Sequence, residues 1–144
     1  MLTLWEHIDA LHSAYDRFTS SVCKKYGLKH AEFNILIYLH DHPDESTATD
    51  IVRKENLSKS HVSISLRALE ERKLVIGEFQ GSNRRTIYLR LTDLATQIVA
   101  DGLKAREEFA RTMLDGFSEA EMQAFFTSLS KVKKNVFAYA KAQH

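Results

Sequence analysis

The apolar positions change period once between residues 47 and 92. Two short helical runs come first, STATDIVRKENL and SKSHVSISLRALEERKL. In the second, Val62, Leu66 and Leu69 stand at i, i+4 and i+7, which gives a helix one apolar stripe for packing. Its opposite face carries Ser60, Ser63, Ile64 and Arg67. The period then shortens to two. Leu74 to Phe79 and Thr86 to Thr92 are β-prone, and Ile87, Leu89 and Leu91 alternate with Tyr88 and Arg90 as a half-buried strand requires. Between the strands, Gln80 to Arg85 ends in GSNRR and reads as an extended basic tip. Punctuation agrees with this division. Thr47 with Asp50 three residues later resembles a capping box, Asn56 tolerates a left-handed stop, and Ser58 caps the second helix. The order predicted is helix, turn, helix, then a hairpin wing.

The flanks carry a different pattern. Leu4, Ile8, Leu11, Tyr15, Phe18 and Val22 alternate spacings of four and three, a heptad seam. Met122, Phe125, Leu129, Val132, Val136 and Tyr139 repeat it near the other end. Between the head and this last seam, Leu94 to Met113 is a further helical pattern with Thr92 as its expected cap, and Gly116 with Ser118 marks the turn that follows. The expected architecture is mainly α with a small β-hairpin wing: one domain over 1–144, a winged helix-turn-helix head at about 47–92, and long dimerisation helices at about 3–26 and 93–141. Seams outside a head suggest a homodimer whose paired helices read inverted half-sites; the alternative is that they pack on each other within a monomer. The one Pro lies in His40-Asp41-His42-Pro43-Asp44-Glu45, a polar connection before the head.

Charge sharpens the picture. The whole chain has a formal net charge of only +1, but residues 47–92 hold nine Lys/Arg against five Asp/Glu, and the remainder carries a net negative charge. Basic charge is therefore concentrated on the head, as a phosphate-binding footprint requires, although a solvated face could also carry it. Arg can pair with guanine, Ser with either partner, and Ile can touch a thymine methyl. The candidate contacts to double-stranded DNA are Ser58, Lys59, Ser60, His61, Ser63, Ile64 and Arg67 on the helix, with Asn83, Arg84 and Arg85 on the wing. Catalysis has little to work with. No nucleophile elbow, phosphate-binding glycine loop or metalloprotease helix occurs, and Glu70 and Glu71 read as a solvated helix end, so no enzyme activity and no cofactor are expected. The chain shows no secretory apolar region and no apolar run of ~18 residues, so neither export nor a membrane partner is expected. Cys23 is alone, which fits a reducing, cytoplasmic setting.

The run from Leu57 to Thr92 resembles the MarR family of winged helix-turn-helix transcription regulators. Leu57-Ser58 enters the reading helix, Leu69-Glu70 lies near its end, and Asn83-Arg84-Arg85 leads to Leu91-Thr92 at matching spacing. Three features depart from the family pattern. Asn83 stands where an Asp usually braces a wing arginine, Glu55 occupies a usually apolar place, and a Gly after the Leu-Thr pair is absent. The resemblance implies ligand-controlled repression by a dimer, with a small aromatic effector lodged near residues drawn from Trp5, Tyr15, Phe18, Phe33, Tyr38 and Phe109, all of which ordinary core packing also explains. Other readings are a winged-helix protein-interaction module, a metal sensor using His40, Asp41, His42 and Asp44 with His7 or His12, and a redox switch at Cys23, where Lys24, Lys25 and Tyr26 would favour a thiolate.

Overall fold

Side-chain caps set where the helices begin in the computed structural model, which describes residues 3–142. Helix α1 (Leu4–Tyr26) opens on a capping box in which the Glu6 amide donates to Thr3 Oγ1 (3.2 Å) and the Thr3 amide to Glu6 Oε2 (2.6 Å). It stops at Gly27, whose φ of 64° allows the Leu28 amide to reach back to the Cys23 carbonyl at 2.8 Å. Helix α2 spans His30–Asp41, α3 spans Ala48–Glu55 and α4 spans Lys59–Glu71. Thr47 and Asp50 form the expected box on α3, Asn56 takes the left-handed stop with φ 53°, and Ser58 caps α4 by accepting from the His61 amide at 3.0 Å. Strands β1 (Val75–Gln80) and β2 (Asn83–Leu91) follow, then a short 3-10 turn at Asp93–Ala95, α5 (Thr96–Met113) and α6 (Glu119–Ala142).

The core forms around α2. Phe33, Ile35, Leu36, Ile37, Tyr38 and Leu39 are all buried, so this helix is apolar all round and has neighbours on every side. Helices α1, α3 and α4 and strand β2 pack against it. Burying one of its large aliphatic or aromatic side chains contributes about 1.5–3 kcal/mol relative to leaving it exposed. Helix α5 approaches through Gly102, where an added Cβ would lie 2.6 Å from the Phe33 ring and 2.9 Å from Ile37 Cδ1. The polar connection expected at His40–Glu45 starts later than its sequence suggests, because His40 and Asp41 are the last residues of α2. Tyr38 holds the loop beyond them by donating to the Glu45 carbonyl at 2.6 Å.

The two strands pair antiparallel from Val75 opposite Leu91 to Gln80 opposite Asn83. The Leu89 amide also donates to the Ser46 carbonyl (2.9 Å), which ties the hairpin to the loop before α3. Two expectations are corrected here. Thr92 stands at the N-cap position of the 3-10 turn that leads into α5, but its side chain makes no cap bond; its hydroxyl donates to the Lys73 carbonyl at 2.6 Å and closes the base of the hairpin instead. Ile87 does not join Leu89 in the core. It is 53% exposed because the strand faces an open groove at that point rather than a filled interior.

The chain divides into two compact units between Phe109 and Ala110. In the first, the α1 seam is covered at Val22, half-covered at Tyr15 and Phe18, and open at Leu4, Ile8 and Leu11. In the second, Gly116 takes φ 81° and Ser118 forms a capping box with Glu121 at the start of α6. No side chain of α6 is buried, and Leu129, Val132, Val136 and Tyr139 of its seam are exposed.

Two stability predictions follow from these contacts. Phe33 is fully enclosed and cannot swing away, so Gly102→Ala should destabilise the protein by about 1–3 kcal/mol through overpacking, despite alanine's better helix propensity. A chemical denaturation midpoint that is unchanged or raised would refute this. Asp101 accepts from Tyr26 Oη (2.5 Å), Lys25 Nζ (2.9 Å) and Gln97 Nε2 (2.9 Å), and these bonds hold its carboxyl down at about 2. The unfolded chain, with an aspartate pKa of about 3.9, takes up this proton first on acidification. The stabilisation by Asp101 is therefore complete above about pH 4 and is lost as the pH falls towards 2. Asp101→Asn should flatten that part of the stability profile, as measured by urea midpoints across the acid range.

Candidate nucleic-acid interface

Helix α4 divides cleanly by burial. Val62, Ser65, Leu66 and Leu69 face the core, while Lys59, Ser60, His61, Ser63, Ile64 and Arg67 face outwards. Ser65 was not legible as a core residue, since its hydroxyl resembles those of Ser60 and Ser63 and only the packing separates them. Ile64 is 62% exposed, an aliphatic side chain on a polar face with no packing role of its own. The first turn of α4 carries no acidic residue, and Lys59 is its first residue. Its free amides and dipole therefore present uncompensated positive potential, to which the Lys59 ammonium adds. The far end is anchored: Arg72 donates to the carbonyls of Tyr26 (2.7 Å) and Gly27 (3.2 Å), binding the end of this helix to the end of α1.

The hairpin differs from the expected extended tip. Its turn is only Gly81-Ser82, with Gly81 at φ 57°, and Asn83, Arg84 and Arg85 already belong to β2. A two-residue turn with a left-handed glycine suits the strand twist and needs no longer loop. Asn83 Oδ1 accepts from the backbone amides of Arg85 (2.9 Å) and Thr86 (3.4 Å), so it braces the main chain. A register shift falls between Glu78 and Gln80, where Phe79 alone faces Arg84 to Ile87, so the bulge is carried by β2. The Arg84 guanidinium lies over the Phe79 ring, 5.2 Å from its centre, while Arg90 is paired with Glu78 at 2.7 Å. The role of Phe79 left no signal in the sequence, because a bulge depends on the pairing register. An open groove of ≈ 520 Å³ runs between α3, α4 and β2, with Lys59, Ser63 and Arg67 on its rim and Val52, Leu66 and Ile87 among its apolar lining.

The other candidate chemistries separate. Burial pushes the Cys23 thiol up, with Asp16 adding to the effect, and its sulfur lies 3.8 Å from His30 Nδ1. Lys25 is held by Asp101, so the expected thiolate-favouring surroundings are not formed. Asp41 makes a two-pronged pair with Arg106 (2.6 and 3.1 Å), which holds its carboxyl below the usual range, and His42 stacks on Tyr38. Among the described residues, no group of three or more His, Cys, Asp or Glu is placed to hold a metal ion. The six aromatics do not surround one cavity. Phe33 is in the core, Trp5 is 72% exposed, and Phe109 makes edge-to-face contacts with Tyr15 and Phe18. Tyr15 and Tyr38 do meet, at a pocket of ≈ 220 Å³ shared with His12, Asn34, Glu55 and Arg106. Glu55, half-buried there, has its carboxyl pushed up by burial. No helix among the described residues is long and apolar enough to cross a membrane.

Comparison with known proteins places this geometry. Residues 26–86 match the MarR family model. A curated relative, the uncharacterised HTH-type transcriptional regulator YdgJ of Bacillus subtilis (strain 168), is 26% identical over 110 residues, covering 76% of this chain and 66% of the relative, just under two thirds of its length. A Listeria monocytogenes regulator assigned to the MarR family and solved with a 26mer DNA superposes with a TM-score of 0.82 at 22% identity, over 94% of this chain and 90% of the other. Staphylococcus aureus MepR, solved in complex with DNA, superposes at 0.77 with 20% identity, over 94% and 99% of the two chains. At these identities the solved structures establish the winged-helix fold.

Proposed function

We propose that the chain, whose residues 26–86 match the MarR family model and whose fold is winged-helix, is a MarR-family, sequence-specific regulator of transcription that binds double-stranded DNA. In this proposal it is a ligand-responsive repressor, a homodimer on a pseudo-palindromic operator, working in the cytoplasm and catalysing no reaction. One observation carries the reading: α4 is anchored by its buried stripe and by Arg72, and turns Lys59, Ser60, His61, Ser63, Ile64 and Arg67 outwards beside a positive helix end. A helix ~10–12 Å across fits a major groove ~12 Å wide. Arg67 and Ile64 are assigned to base edges, Lys59, Ser58 and the amides of the first turn to phosphate, and Arg84 and Arg85 to the backbone or minor groove beside it. The proposed place for a small aromatic effector is the pocket where Tyr15 and Tyr38 meet Arg106. A protein-interaction module with the same fold would have no use for this basic face, and its binding would lack the steep salt dependence of counterion release.

On this assignment Arg67→Ala removes about 1–3 kcal/mol of discrimination at one position of each half-site, while Ile64→Ala relaxes a preference for thymine. Lys59→Ala should weaken all duplexes with little change in preference. The measurement is a titration against single-base variants of a site selected from genomic fragments. Arg67 and Ile64 variants that rank every site as the wild type does would show that α4 is not the reader. The open seams on α1 and α6 lead to a second expectation, that the protein is a dimer at micromolar concentration. Charged residues in place of Val132 and Val136 should dissociate it in sedimentation. A folded wild-type monomer would refute the dimer.

A further inference from the structure

We propose that Phe79 is a positioning residue for Arg84: its ring holds the wing arginine that, on the DNA-reading proposal above, touches the duplex. The ladder pairs Glu78 with Tyr88 and Gln80 with Asn83, so between these pairs β1 has only Phe79 while β2 has Arg84 to Ile87, and the extra residues lie on β2 near the two-residue turn. A bulge re-aims the side chains that it carries, Arg84 among them, towards the Phe79 ring on the facing strand. Here the ring, 45% exposed, lies under the guanidinium of Arg84 at 5.2 Å, within the ~6 Å over which a cation and an aromatic face attract.

The groups that could otherwise hold Arg84 are engaged elsewhere. The Asn83 side-chain oxygen accepts from two backbone amides, and an amide has no charge to offer a guanidinium. Glu78, the acidic residue of the hairpin, is bound by Arg90 through Nε (3.2 Å) and a terminal nitrogen (2.7 Å). Among the described residues, no carboxylate lies within ion-pair distance of Arg84. A ring differs from a carboxylate as a brace. It restricts the long side chain while leaving both the charge and the edge N–H donors of the guanidinium available to phosphate or groove oxygens. Arg84 therefore reaches DNA partly ordered, and less rotamer freedom is lost on binding.

The test compares Phe79→Leu, which keeps apolar bulk but removes the π face, with Phe79→Trp, which keeps the face, each in the wild type and with Arg84→Ala. Binding is read by anisotropy of a labelled duplex with an A·T-rich centre over a salt series, after thermal melting has shown that each variant is folded. Phe79→Leu should weaken binding about two- to five-fold, Phe79→Trp should restore it, and in the Arg84→Ala background Phe79→Leu should cost nothing further. Wild-type affinity in Phe79→Leu, or an equal loss with and without Arg84, overturns the proposal. The free protein supplies a readout independent of DNA. Arg84 side-chain protons should be shifted upfield by the ring in the wild type and should move to ordinary positions in Phe79→Leu; ordinary positions in the wild type overturn the brace. A wild type that shows the ring shift yet binds no duplex overturns the DNA reading instead.

Discussion

Enclosure of α2 on all sides is the constraint on which the rest of the head depends. With Phe33, Ile35, Leu36 and Leu39 buried, every neighbouring element must turn an apolar face inwards, and α4 does so with Val62, Leu66 and Leu69. Once that stripe is committed, helical geometry leaves one face of α4 for solvent. The same constraint explains Gly102, where α5 passes too close to Phe33 and Ile37 for any larger residue. The orientation of the outward face of α4 is thus a consequence of core packing rather than of any contact made by Lys59, Ser60, Ser63, Ile64 or Arg67 themselves.

Electrostatics then acts on a surface that packing has already aimed. A chain with almost no net charge concentrates its basic residues on the head. The dipole at the start of α4, which no acidic residue in the first turn offsets, and the arginines of β2 add local positive potential, while Arg53 and Arg90 are engaged by Asp50 and Glu78. Asp50 shows how finely this is balanced. Burial acts to raise its pKa, and the Thr47 hydroxyl and amide, with Arg53, outweigh it and hold the carboxylate ionised at the start of α3. That helix end is neutralised from within, whereas the start of α4 is left open to an external anion.

The apolar seams are a separate matter. Along α6 the heptad positions lie on a surface with no buried residue, and at the start of α1 the same is true of Leu4, Ile8 and Leu11. Helices of this length are held mainly by packing of an apolar face, so faces left open on this scale call for cover. A second copy of the chain supplies it in our proposal.

Much of this was readable from residues alone. Helix stripes, Ser and Thr caps, the left-handed Asn56 and the strand alternation are local codes, because each depends on residues three or four positions apart or on every second position. They sufficed to place α3, α4 and the hairpin and to sort Lys59, Ser60, Ser63, Ile64 and Arg67 from Val62, Leu66 and Leu69. Helix α2 was not legible in the same way, since a helix buried on every side has no stripe to show. Nor could local pattern tell Ser65 from Ser63, send the Thr92 hydroxyl to Lys73 rather than to a helix start, or bring Asp101 to Tyr26. The bulge of β2 opposite Phe79 is of the same kind. It exists only through the pairing of two strands, and the pairing register, the side-chain partners of buried groups and the burial of one serine over another are decided by the three-dimensional chain.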